Sequence, residues 1–77
     1  MIYKILRTDG TADPMREKKL ALGALQAVVG GCIEYFQHHG ETFICNEDGI
    51  RLGLPRNPHF IDVNVFGNVI AVKKEDA

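Results

Sequence analysis

The sequence predicts a two-layer α+β fold, one helix packed on a mainly antiparallel sheet of four to five strands, in the order β-α-β-β-β-β. Three observations predict it. An alternating β-rich run opens the chain. An apolar pattern of helical period follows and stops at the paired glycines Gly30-Gly31. Short β-rich runs separated by turn residues fill the rest.

Residues 1–7 form the expected first strand: Ile2, Lys4 and Leu6 alternate with Tyr3, Ile5 and Arg7, and the run is rich in β-branched and aromatic residues. Thr8-Asp9-Gly10-Thr11 carries turn chemistry. Asp13-Pro14 reads as a helix start, because Asp can cap free N–H groups and Pro has no N–H to leave unpaired. The helix is expected over 14–29. Ala21, Leu22, Leu25, Val28 and Val29 fall within an arc of roughly 120°. Lys18 also falls inside that arc, which conflicts with a wholly apolar face unless its stem snorkels at the core edge or the helix proper starts near Lys18, with 14–17 forming a looser turn. Gly30 stands where a left-handed residue ends a helix.

An antiparallel meander is expected over 32–54. Cys32 to Gln37 and Thr42 to Cys45 make two strands about a turn at His38-His39-Gly40-Glu41, which would place Cys32 and Cys45 nearly opposite each other. Asn46-Glu47-Asp48-Gly49 is the strongest turn, with Gly49 expected at positive φ, and Ile50 to Leu54 would return as a strand with Ile50, Leu52 and Leu54 inward. Pro55 stops that strand. An irregular loop is expected over 55–66, a last strand over 67–73 and a solvated tail over 74–77.

The chain has 77 residues, so one domain is expected, and a core of this size supplies about 3–5 kcal/mol. Self-association is the usual remedy for such a small core, and a homo-oligomer is expected. A formal net charge of −1 argues against direct nucleic-acid binding, which needs a basic excess. No run approaches the ~20 apolar residues of a membrane span, and the opening run is too short for a signal-peptide core. The expectation is a cytoplasmic protein with no membrane association and with Cys32 and Cys45 reduced.

The ordered motifs Leu25-Gln26-x-x-Val29-Gly30-Gly31-x-Ile33-Glu34, Asn46-Glu47-x-Gly49, Leu54-Pro55-x-Asn57 and Gly67-Asn68-Val69 resemble the family known as domain of unknown function 3846. The resemblance covers most of the chain from Leu20 onward. Members of that family are short proteins frequent in phages, plasmids and other mobile elements. The resemblance therefore implies a bacterial or phage cytosolic setting, and it brings no activity with it. Between Asn57 and Phe66 the sequence departs from the family pattern, which more often has a small-residue helical turn there.

The candidate ligand-binding residues are Arg56, Asn57, Asn46, Glu47 and Arg51. Pro55 and Pro58 stiffen the loop that presents Arg56 and Asn57. Arg offers a planar fork for phosphate or carboxylate, and Asn a donor–acceptor pair. The structural alternative is that Asn57 satisfies loop backbone groups and Arg56 is solvated. Likewise Asn46 and Glu47 either present an amide and a carboxylate at a fixed turn, or Asn46 caps that turn. Gly30-Gly31 ends a helix, whose negative dipole end repels phosphate, so a phosphate loop is excluded. Cys32, Cys45, His38, His39 and His59 match no zinc spacing, so neither metal nor cofactor is expected. No nucleophile–base pair is legible, and an enzyme is not expected. Two functions stay open: a binder of a small anionic ligand, such as a nucleotide signal of host defence, and an adaptor or inhibitor that docks on a host protein through a sheet edge or the apolar loop Phe60-Ile61-Asp62-Val63.

Overall fold

The computed structural model describes residues 2–16 and 21–73. β1 (Ile2–Leu6), β2 (Ala12–Arg16), α1 (Leu22–Val29), β3 (Ile33–His38), β4 (Glu41–Asn46) and β5 (Val69–Lys73) follow one another along the chain. The strands form one antiparallel sheet in the order β2-β1-β5-β4-β3, with the helix on one face, as the α+β reading expects. Of the described residues, no helix is long and apolar enough to cross a membrane.

The fifth strand is not where the sequence suggests. Residues Ala12–Arg16, which overlap the start of the expected helix at 14–16, are β2, and the helix is shortened to Leu22–Val29. Lys18 and the rest of 17–20, like the tail at 74–77, lie outside the described residues. The Thr8–Thr11 turn makes the difference. Asp9 Oδ1 accepts the Thr11 amide at 2.9 Å and its hydroxyl at 2.6 Å, and Gly10 takes φ 90, so the chain folds straight back on β1. Asp13 then pairs with Arg7 rather than capping a helix. Pro14, opposite Lys4, is tolerated because β2 is an edge strand with no second neighbour to receive an N–H.

The returning strand expected at Ile50–Leu54 is a compact turn. Leu52 N–H donates to Asp48 O at 2.9 Å and Leu54 N–H to Gly49 O at 3.0 Å, and Ile50 is 75% exposed rather than inward. The cause is tertiary: β4 already has β3 on one side and β5 on the other, so it has no edge left to pair with a strand from 50–54. Cys45 faces Glu34 across the β3–β4 register, not Cys32, because the tight His39-Gly40 turn sets the pairing two residues along. Both thiols are free.

Burial explains the near-continuous apolar run of β5. Val69, Ile70 and Ala71 are all buried, because both faces of the sheet are covered. On one face Tyr3, Ile44 and Ile70 pack under Leu25 and Val29 of the helix. On the other, Phe43, Val69 and Ala71 pack under Phe60 and Val65 of the irregular segment 55–66. That segment is closed at its base by an isolated bridge between Arg56 and Phe66 and by the Gly67 amide donating to Pro55 O at 2.8 Å.

Two glycines serve different ends. Gly30 caps the helix at φ 83, its N–H donating to Gln26 O at 2.8 Å, as expected. Gly49 is not at positive φ; that role falls to Gly53, at φ 69. Gly49 is required instead because a Cβ there would sit 2.8 Å from the Phe66 carbonyl oxygen. Gly30→Ala should therefore lose only backbone strain energy, about 1–2 kcal/mol. Gly49→Ala must move the Phe66 backbone, about 1–3 kcal/mol of overpacking, and should speed amide exchange at Gly67 while Gly30→Ala leaves it alone. Equal exchange in the two variants would contradict this division.

Candidate functional site

The segment over the second sheet face covers its centre and leaves an open concavity on each side. The first, about 520 Å3, runs beside the edge strand β3 and is floored by Phe36, Cys45, Val65 and Phe66. Its walls are the turn 46–51 and the strip 63–66. The second, about 450 Å3, lies at the other end of the covering segment, where Lys4, Phe43, Phe60 and Lys73 meet the three histidines. Both volumes are in the range of small-ligand and peptide sites.

The structure separates the expected ligand-binding residues. Asn57 is 0% exposed, and its side chain is fully used. Nδ2 donates to Leu6 O at 2.9 Å and Gly67 O at 3.0 Å, and Oδ1 accepts the His59 amide at 3.0 Å. It pins the covering segment to β1, which leaves no group for a ligand. Asn46 is buried too. Its Nδ2 donates to Val29 O at 3.1 Å, its Oδ1 accepts the Asp48 amide at 2.7 Å, and it ties the helix end to the turn. Arg56 is exposed but lines neither concavity; its guanidinium lies 3.4 Å from Ile61 O and 3.5 Å from Val63 O. Of these candidates Asn46, Glu47 and Arg51 line the first groove; the Asn46 side chain is already engaged, and Arg51 is bound to Asp48 at 3.0 Å. Hydrogen bonding to that carboxylate holds the Arg51 guanidinium more firmly protonated than usual.

Three carboxylates, Glu34, Glu47 and Asp48, thus border the first groove against one guanidinium that is already paired. Glu34 and Glu47 are exposed and make no ion pair among the described residues. Burial pushes the Cys45 thiol up, with the Glu34 charge adding to the effect, so this thiol is a poor nucleophile. The apolar lip is exposed: Ile50 on the turn and Val63 on the facing strip. Glu34 closes the motif that runs from Leu25, but neither that motif nor any feature of Phe36 marks a groove; period-2 alternation along β3 would have placed the two on one face, but not told which face was open.

The second concavity holds a cluster that the sequence conceals. His38 Nε2 and His39 Nε2 each lie 3.0 Å from an oxygen of Asp62. Neighbours in a strand point to opposite faces, so two adjacent histidines are not expected to share a partner. His39 leaves the strand at φ 50, and with Gly40 at φ 77 it turns its ring back beside that of His38. The hydrogen bond from His39 holds the Asp62 carboxyl below the usual range.

The chain belongs to the family described as Domain of unknown function (DUF3846), whose model matches residues 3–77. That membership assigns no activity. No curated protein and no solved structure matches the chain.

Proposed function

We propose that this protein is a docking module that takes an extended, apolar and basic segment of a partner protein along β3. The observation that carries the reading is the first groove: an apolar channel lies along a sheet edge that no strand covers among the described residues, and carboxylates with no ion pair among those residues border it. A strand added to an exposed edge gains main-chain hydrogen bonds, and its alternate side chains enter whatever lines that face. Here those side chains would meet Phe36, Val63 and Val65, with Glu34 and Glu47 placed to receive Lys or Arg. A mobile-element setting, which the resemblance implies, makes the partner a protein of the host cell.

The other reading, a small anionic ligand, rested on Arg56 and Asn57. Against it stand the saturated Asn57 amide and the acidic border of the groove, which repels anions.

The test is titration of the full chain with a synthetic strand peptide alternating Leu with Lys, followed by NMR. Shifts should map to residues 33–37 and 63–66, and Glu34→Lys should weaken binding about tenfold, the loss of one charge-assisted contact. The same peptide with Glu in place of Lys should not bind. Peptide binding that ignores Glu34→Lys would refute the proposal, and so would shifts confined to other surfaces. A nucleotide that binds and is weakened by Arg56→Ala would move the anion reading ahead. A dimer seated on β3 would make the occupant a second copy.

A further inference from the structure

We propose that His38, His39 and Asp62 bind a divalent transition ion of the Zn2+ type, which clamps the β3–β4 turn to the segment covering the second core. One donor atom from each residue lies within 4.8 Å of the other two. Zinc bonds of about 2.0–2.2 Å in tetrahedral array need donors roughly 3.3 Å apart. The two imidazole nitrogens already stand 3.0 Å from the carboxylate oxygens, so small side-chain rotations reach that geometry. Two imidazoles and a carboxylate select Zn2+, Co2+, Ni2+ or Cu2+ over the oxygen-seeking Ca2+ and Mg2+.

The donors are also held in advance. The His38 ring lies 5.8 Å from the Phe60 ring and 6.4 Å from that of Phe43, and its side chain is only 17% exposed. Phe60, two residues before Asp62, is buried in the second core and anchors the carboxylate's strip of chain. His39 accepts a left-handed backbone that costs most non-glycine residues free energy, and its ring is thereby brought to the same carboxylate. His59 lines the same cleft, but its Nε2 lies 3.0 Å from the Thr11 carbonyl oxygen, so water is left to complete the shell. The same atoms can instead form two hydrogen bonds from neutral imidazoles to one carboxylate, and experiment separates the two states. This site does not depend on the docking groove being occupied.

The probe is Zn2+ itself, titrated into the metal-stripped full chain, with Co2+ as a spectroscopic substitute. One Zn2+ per chain should bind, the melting temperature should rise with Zn2+ concentration, and Co2+ should develop visible d–d absorption. Asp62→Asn keeps the side-chain shape, and His39→Asn suits the left-handed backbone, so both variants should fold without metal. Each should weaken Zn2+ binding by at least about tenfold, the loss that even removal of an outer partner of a metal ligand brings. Metal-free melting curves of the variants confirm that the protein assayed is folded. Absence of Zn2+ binding by the parent overturns the proposal. Binding that survives both substitutions overturns it as well, as does binding that disappears with Cys32→Ser and Cys45→Ser while both variants retain it.

Discussion

Asn57→Ala is expected to leave most of the protein unfolded. The substitution orphans the Leu6 and Gly67 carbonyls and the His59 amide, all of which the Asn57 side chain satisfies. Asn57 is among the four largest fully buried side chains, so water does not replace it without opening the structure. A buried group left without its partner costs about 1–3 kcal/mol, and the whole core of so short a chain supplies only about 3–5 kcal/mol. The loss therefore matches the total. Asn57→Asp should be no better, since it keeps the acceptor for His59 but replaces both donors with a buried charge. Urea unfolding followed by circular dichroism decides the matter. A variant with a midpoint near that of the parent would mean that the covering segment is held by something other than this amide.

Leu25→Ala should be the next most damaging change. The helix has eight residues and no side-chain cap at Ala21, and an isolated helix shorter than about 12 residues is marginal in water. Its stability comes from packing, and only Leu25 and Val29 are buried in it. Removing Leu25 from contact with Tyr3, Ile44 and Ile70 should cost about 2–5 kcal/mol, as for other buried leucines truncated to alanine. The effect should be uneven. Amides of Leu22–Val29 should lose protection from exchange first, whereas β4 and β5, which are also packed on the opposite face by Phe60 and Val65, should keep theirs longer. A Leu25→Ala protein as stable as the parent would show that the sheet does not need the helix to cover this face.

The candidate sites were only partly legible. Asn46, Glu47 and Arg51 do border the first groove, but Glu34, Val63 and Val65, which complete it, lie far away in the chain, and no sequence feature ties them to it. Arg56 and Asn57 stand between two prolines, Pro55 and Pro58. The prolines stiffen the base of a covering segment whose anchor is Asn57, so the stiffness serves packing on β1 and β5 rather than display to a ligand. His38 and His39 were expected together in the turn, but β3 runs on to His38, and their common partner Asp62 lies 23 residues beyond His39, outside any local pattern.

The sequence by itself determined the local periods and the punctuation: an alternating first strand, an apolar helical face ending at Gly30, a hairpin turning at His39-Gly40 and a last strand through Ile70. These depend on neighbours within a few residues, and turn chemistry and side-chain period are local properties. The tertiary structure alone decided the rest. Whether 12–16 continued into a helix depended on a free edge beside β1, and whether 50–54 made a strand depended on an edge that β5 had already taken. The second sheet face was covered by an irregular segment because Phe60 and Val65 could bury there and Asn57 could satisfy the carbonyls left at its base. Such outcomes are competitions between distant segments for one edge or one face, and no window of sequence contains both competitors.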